Sequence, residues 1–362
     1  MKPRVLLVGR TRYRLPLNES LRRKFDALAG EVDPRVLASS TDSSRGDETF
    51  ALVPRLPVFD GAAFWALLPL RVAREVRSRP TDAVLAQSPY DAAAALAGRA
   101  LARSRARVIV DVHGDWRTAT RLYGSPLRRV LSPLGDRIAL AALRRSDAVR
   151  TVSGYTEQLV REVGIEPAGS FPAFMDLDPF LAEPPAPLPD RPQALFVGVL
   201  EPYKGIDVLA EAWRLARPPA DLRIVGSGSR ASIVADLGVQ WDRSLAPEEV
   251  ARALDESTVL VLPSRSEGMG RVVVEALCRG RAVIGSRVGG IPDLVRDGEN
   301  GLLVEPEDPE ALAEALRRVL SDAELAARLG AEARASVRLG SPENWASELR
   351  LLLEGTLLNS ER

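Results

Sequence analysis

Two glutamates eight positions apart, Glu267 and Glu275, bracket the small residues Gly268, Met269 and Gly270 and the following Arg271. A carboxylate accepts hydrogen bonds from hydroxyl groups, and the backbone N–H groups that open a helix hold anions. Eight residues of helical rise cover about 12 Å. That matches the reach from a sugar to the ribose of a nucleotide diphosphate, so the spacing suits a nucleotide sugar. Lys204 adds a compact ammonium just ahead of another expected helix. The chain otherwise favours arginine and has lysine only at positions 2, 24 and 204, so a lysine here suits a diphosphate; chance retention gives the same residue. His113, the single histidine, follows the apolar run VIVDV and precedes Gly114 and Asp115. A lone histidine is commonly a packing or surface residue. At the end of a buried strand it could instead bond a sugar hydroxyl. Arg10, Arg12 and Arg14 follow the first apolar run, where guanidinium groups could bind a phosphate of donor or acceptor; solvated surface arginines read the same way.

The elements that must position these residues follow from periodicity. Residues 4–9, 33–38, 50–53, 83–87 and 107–112 read as strands, with helices over 18–28, 62–78 and 91–103. Asp147 to Val152 is a further strand, and Ser153 is placed to cap the next helix. The alternation restarts at residues 194–200 and runs through strand 258–262, helix 271–279 closed by Gly280, and helices near 309–320, 323–337 and 342–358. This predicts an α/β protein with two doubly wound parallel-sheet domains, whose ligands gather beyond the C-terminal ends of the strands. The expected division is 1–182, a Pro-rich linker over 183–192, 193–340, and a C-terminal helix in 341–362 that could pack back on the first domain.

Composition bounds the function. Among 362 residues, Lys+Arg and Asp+Glu both number 49, for a net charge of +0. That argues against nucleic-acid binding through bulk charge. One cysteine, Cys278, excludes an intrachain disulfide and reads as a packing thiol. One histidine and one cysteine exclude metal sites built from several such ligands. No apolar run reaches the roughly 20 residues of a membrane span, and strand-like residues follow Met1 closely, so a cytoplasmic protein is expected. Residues 59–79 mix Phe59, Phe64 and Trp65 with Arg71, Arg74, Arg77 and Arg79, and residues 118–145 mix arginines with leucine and alanine. Such helices could lie on an anionic membrane or flank a lipid-linked acceptor. A helix packed on a sheet, interrupted in the first case by Pro69, accounts for the same pattern.

Four segments in order, FVGVLEPYKGIDVLAEA, IVGSGSR, PSRSEGMGRVVVEALCRGRAVIGSRVGGIPDLV and DGENGLLVEPEDPEALAEAL, resemble the retaining nucleotide-sugar glycosyltransferases of the GT-B fold, of the family 4 or group 1 type. The resemblance implies two Rossmann-like domains facing across a cleft, the first binding the acceptor and the second the donor. It places Lys204 at the donor diphosphate and Glu267 near the hydroxyls of the transferred sugar. Gly268, Met269 and Gly270 take the loop facing sugar and phosphates, Glu275 the ribose hydroxyls, and His113 a place near the transferred sugar. Asp115 and the 10–14 arginines remain candidates for phosphate or acceptor contact, and base recognition falls to the loop around 240–245. The implied activity is metal-independent transfer from a UDP- or GDP-sugar to a sugar, lipid-linked or small-molecule acceptor, with no cofactor beyond the donor. Polysaccharide, glycolipid or glycoconjugate synthesis is the implied setting. The chain departs from the family at Val199, where an arginine is common; an arginine of the 10–14 loop or Arg271 could replace that cation. It departs also at Ala173-Phe174-Met175-Asp176 and in the first loop, which lacks a glycine pair. A nucleotide-sugar epimerase or hydrolase-like enzyme and a non-catalytic binding or scaffold subunit are the alternatives.

Overall fold

The structure is a computed structural model that describes residues 2–42, 46–54, 60–118, 126–337 and 341–358. The chain divides into two compact units. Described residues up to 174, with the C-terminal helix Pro342–Leu358, form the first; residues 175–337 form the second.

In the first unit seven parallel strands stand in the order β3-β2-β1-β4-β5-β6-β7. They are β1 (Arg4–Tyr13), β2 (Asp33–Ser40), β3 (Phe50–Val53), β4 (Ala83–Ala86), β5 (Arg107–Val112), β6 (Ala148–Thr151) and β7 (Gly169–Ser170). Successive strand residues point to opposite faces, and the two faces have separate cores. Leu6, Val8, Val84, Val108 and Val110 pack beneath helices Asp60–Ser78, Pro89–Ala102 and Pro126–Arg145. Val5, Leu7, Leu85 and Ile109 pack with Phe25 and Leu28 of helix Glu19–Glu31 and with Leu349 and Leu353 of Pro342–Leu358. The C-terminal helix therefore completes the second face of this sheet.

Two local expectations change here. Pro69 does not end its helix, which runs from Asp60 to Ser78 because Phe64, Leu68, Val72 and Val76 are buried along one stripe. Arg10 and Arg12 are not in a loop. A register shift between Val8 and Arg12 lets β1 resume pairing with β2 at Ser39 and Ser40, so the strand continues to Tyr13.

The second unit holds β8 (Gln193–Val197), β9 (Asp221–Val225), β10 (Gln240–Asp242), β11 (Val259–Leu262), β12 (Ala282–Ser286) and β13 (Gly301–Val304), all parallel, in the order β10-β9-β8-β11-β12-β13. Counted within each unit, both sheets carry the doubly wound order in which the winding reverses between the first and fourth strands. Ligands bind at the carboxyl ends beside that reversal.

The Pro-rich stretch behaves differently from a free linker. The units divide after Phe174. Two buried arginines of the second unit then grip the segment from Phe180 to Pro187. Arg279 donates to the carbonyls of Phe180, Glu183 and Pro184, and Arg281 to those of Ala186 and Pro187. Proline supplies no N–H but its carbonyl still needs a donor, and these guanidinium groups provide it.

Candidate functional site

In the second unit, Lys204 and Glu267 meet at the reversal point. Lys204 ends the short turn Pro202–Lys204 that follows β8, and Glu267 lies in the loop that follows β11. The ammonium donates to Glu267 Oε2, and both side chains are largely covered, at 13% and 14% exposure. Arg265 fixes the two loops together. Its guanidinium bonds both Asp207 oxygens at 2.8 and 2.9 Å and the Pro202 carbonyl at 2.6 Å, and its own N–H donates to Tyr203 O at 2.7 Å. Two glycines make this approach feasible. Gly205 has φ +66°, and a Cβ there would stand 1.9 Å from Pro263 O; Gly289 has φ +57°, and a Cβ there would stand 1.7 Å from Glu267 O. The Gly290 N–H also donates to Glu267 O at 3.2 Å, so the Gly289–Gly290 turn after β12 supports the backbone of Glu267.

Gly270, at φ +70°, then turns the chain into helix Arg271–Cys278, and no side chain caps its N-terminus. The first N–H groups of a helix have no partner inside it and carry partial positive charge. The arrangement is an ammonium and an uncapped helix N-terminus at one sheet edge, able to hold an anion with two or more oxygens. Gly268 and Met269 form the bend between Glu267 and Gly270. Only the latter half of the Glu267–Glu275 interval is helical, so the span of about 12 Å that continuous helical rise would give does not apply.

Glu275 lies inside the helix, half-buried, and among the described residues no hydrogen bond or ion pair engages its carboxylate. Burial raises its pKa, partly opposed by the charge of Arg271 at the exposed first helical position. Cys278, also in this helix, is fully buried, and burial pushes its thiol up to about 11, which makes it a packing residue. Val199 is 46% exposed just past β8. The segment assigned to base recognition begins as the edge strand Gln240–Asp242, where Trp241 Nε1 donates to Gly226 O at 2.8 Å.

The first unit carries its own cluster beyond β5. His113 Nε2 lies 3.0 Å from Asp111 Oδ2, and Arg150 Nη1 donates to Asp111 Oδ1 at 2.6 Å. Asp111 and Arg150 are register partners on β5 and β6. Burial alone would raise the Asp111 pKa. The charges and hydrogen bonds of His113 and Arg150 outweigh it and bring the carboxyl to about 2. Asp115 does not join this cluster; it accepts from the Arg117 N–H at 2.9 Å and Thr118 Oγ1 at 2.6 Å, capping its own turn. Arg12 and Arg14 are exposed and Arg10 half-buried along the extension of β1. Phe59 and Arg121 lie outside the described residues, as do the side chains of Arg128 and Arg129.

The structure thus brings Lys204 together with Glu267 and leaves Glu275 four residues into the helix beyond them. His113, Asp115 and the 10–14 arginines belong to the other unit. Sequence reading missed Arg265, the Gly289–Gly290 turn, Asp111 and Arg150. The last two had a signal: a charge inside an apolar strand, VIVDV and AVRTV, requires a buried partner.

Similarity to known proteins divides along the same two parts. The model of the family "Glycosyl transferases group 1" matches residues 181–336, and that of "Glycosyltransferase Family 4" matches residues 20–170. A D-inositol 3-phosphate glycosyltransferase of Xylanimonas cellulosilytica is 35% identical over 249 residues, which are 60% of this chain and 57% of the relative. An uncharacterized glycosyltransferase of Methanocaldococcus jannaschii is 35% identical over 143 residues, 38% of this chain and 40% of the relative. The alignments with these two thus cover only about half the length of each relative. Among solved structures, sucrose-phosphate synthase from Thermosynechococcus elongatus superposes with a TM-score of 0.71 at 22% identity, over 99% of this chain and 98% of that one. Anabaena HepE in complex with UDP-glucose gives 0.68 at 17%, over 98% and 99%.

Proposed function

Because the chain belongs to the group 1 and family 4 glycosyltransferases and has their two-domain GT-B fold, we propose that it moves a sugar from a UDP- or GDP-linked donor to an acceptor hydroxyl with retention of configuration. One observation carries the reading: Lys204, held by Glu267, stands at the same sheet edge as the uncapped N-terminus of helix Arg271–Cys278. As the bond between sugar and diphosphate breaks, negative charge grows on the phosphate oxygens. A preset ammonium and helix N–H groups stabilise that charge without reorganising. Glu267 then both orients Lys204 and faces the sugar, and Glu275 accepts the ribose hydroxyls. Arg271, exposed at the first helical position, or an arginine of the 10–14 stretch replaces the cation absent at Val199. No metal ion enters this scheme.

The acceptor is read from the first unit. Relatives named for D-inositol 3-phosphate and the arginines at 10, 12 and 14 together favour a small phosphorylated acceptor. The test is nucleotide release from a panel of UDP- and GDP-sugars, with D-inositol 3-phosphate and unphosphorylated inositol as acceptors. Acceptor-dependent release supports the reading. Donor interconversion without acceptor would identify an epimerase, and absence of UDP and GDP binding by calorimetry would identify a non-catalytic subunit.

A lipid-linked acceptor is the second reading, and one surface favours it. On helix Pro126–Arg145, Val130, Leu134 and Ile138 are exposed at four-residue spacing beside exposed Arg137, Arg144 and Arg145. Leu67 and Leu70 are exposed with Arg74 and Arg77 on helix Asp60–Ser78. Apolar side chains bordered by arginines suit an anionic bilayer. No described helix is long and apolar enough to cross a membrane, so the contact would be peripheral. Co-sedimentation with vesicles containing phosphatidylglycerol, absent with phosphatidylcholine alone, is the expected result.

A further inference from the structure

The cluster beyond β5 contains a feature that the donor chemistry leaves unused. Asp111 and Arg150 form a buried ion pair, at 8% and 1% side-chain exposure, while the histidine attached to it is 44% exposed. A buried ion pair is weak evidence of a stability role, since apolar replacements often do as well. A different reason is needed for charge at this place. Arg150 also donates through Nη2 to the carbonyls of Phe171 and Pro172, each at 2.8 Å, and its guanidinium lies 3.9 Å from the centre of the Phe171 ring. The guanidinium therefore has almost no freedom. It fixes Asp111 Oδ1 and leaves Oδ2 for His113.

We propose that Asp111 and Arg150 are positioning residues, acting through His113 to present its Nδ1 as a hydrogen-bond acceptor for a hydroxyl of the bound sugar. An ionised carboxylate only accepts. The Nε2 facing it must carry the imidazole proton, so in the neutral ring Nδ1 holds the lone pair. A carboxylate fixes the tautomer and the ring orientation of a working histidine in this way in other enzymes. Asp111 and His113 lie on one face of the extended chain, two residues apart. Among the described residues no other partner holds the ring. The identity of the ligand as a sugar rests on the glycosyltransferase reading; the tautomer and ring orientation do not.

The same strands supply a control. Asp147, just before β6, accepts from Arg99 and Arg107 at 2.6 and 2.8 Å and from the Val108 N–H at 2.8 Å. It joins β5 and β6 at the opposite end of the sheet, with no histidine attached.

His113 is the only histidine, so nitrogen-15 imidazole spectra of the full chain contain one residue. In the wild type the neutral ring is expected to carry its proton on Nε2. In Asp111→Asn the side-chain amide can donate as well as accept, and both imidazole nitrogen signals should move. Misplacing a substrate-positioning group by about 1 Å can cost on the order of 10²-fold. We therefore expect kcat to fall by about 10- to 100-fold in Asp111→Asn and by less in Arg150→Lys, which keeps the charge but loses the two carbonyl bonds. UDP or GDP affinity, a property of the second unit, should stay within about twofold in both variants. Asp147→Asn should lower the melting temperature yet leave the imidazole signals and kcat at wild-type values. A proton on Nδ1 in the wild type, or unchanged signals and kcat in Asp111→Asn, would overturn the proposal. If no donor and acceptor pair reacts at all, the transferase reading fails, while the imidazole spectra still decide the tautomer.

Discussion

The two units place different materials at equivalent edges of similarly wound sheets. In the second unit the candidate site is largely backbone: Gly205 and the Gly289–Gly290 turn allow loops to approach within a distance that a Cβ would forbid, Gly270 turns the chain at a positive φ, and Lys204 is the one ammonium added. In the first unit the corresponding end is made of side chains on neighbouring strands, Asp111, His113 and Arg150, locked by register. An anion that every donor shares can be held by a fixed backbone surface. A hydroxyl of a sugar, under the reading proposed above, is met by a positioned side chain. Both candidate sites lie at the carboxyl ends of strands, that of the second unit at the reversal between β8 and β11 and that of the first on β5 and β6.

The largest expected effect tests whether the second unit is the donor end at all. Lys204→Ala removes the ammonium from a covered position and leaves Glu267 with an uncompensated charge. Loss of one preset transition-state donor costs about 10²–10³-fold in kcat. Steady-state kinetics should therefore show a drop of at least that order. Wild-type turnover in Lys204→Ala would break the comparison, because the backbone surface alone would then suffice or the chemistry would lie elsewhere.

A smaller effect concerns Glu275. Hydrogen bonds to a charged group contribute about 1.5–3 kcal/mol, so Glu275→Ala should weaken UDP or GDP binding by about 10- to 100-fold in calorimetry. The sign with pH is fixed by the raised pKa of this carboxyl, whose first cause is burial. The ionised form is the better acceptor for ribose hydroxyls. Nucleotide affinity should rise as pH climbs through that pKa, and Glu275→Gln should flatten the rise. Equal pH dependence in wild type and Glu275→Gln would assign the ribose to another residue.

The same contrast explains what could be read in advance. In the second unit the frame of the candidate site was legible because its parts are close in sequence: a strand, a glycine turn and a helix start occupy residues 259–278. Lys204 stood out by its rarity among arginines. The sheets were legible from the alternation of apolar strands and amphipathic helices. The cluster in the first unit was half legible. His113 was visible as a lone histidine after a strand, but its attachment to Arg150 depends on the pairing of β5 with β6, which periodicity does not reveal. The Pro-rich stretch was misread for a related reason. Its carbonyls are satisfied by Arg279 and Arg281, more than ninety positions away, and local composition contains no trace of that.

The smallest effect is a stability difference, and it sharpens the comparison from the side of the first unit. Asp111 has a pKa of about 2 in the folded chain against an ordinary value of 3.8. Burial opposes ionisation, but His113 and Arg150 together exceed it. A depressed carboxyl stabilises the fold above its unfolded pKa, and that contribution is lost as pH falls through the folded value. At 1.36 kcal/mol per unit the contribution is roughly 2 kcal/mol at neutral pH. About half should be gone by pH 3, a loss of roughly 1 kcal/mol. The side-chain amide of the Asp111→Asn variant has nothing to protonate. The difference in urea midpoint between wild type and Asp111→Asn should therefore shrink between pH 4 and pH 3. In Lys204→Ala, which leaves the first unit intact, the wild-type acid profile should persist. An acid profile of Asp111→Asn parallel to that of wild type would mean that the carboxyl is not held ionised by its partners. The first unit would then lack the carboxylate that holds its histidine.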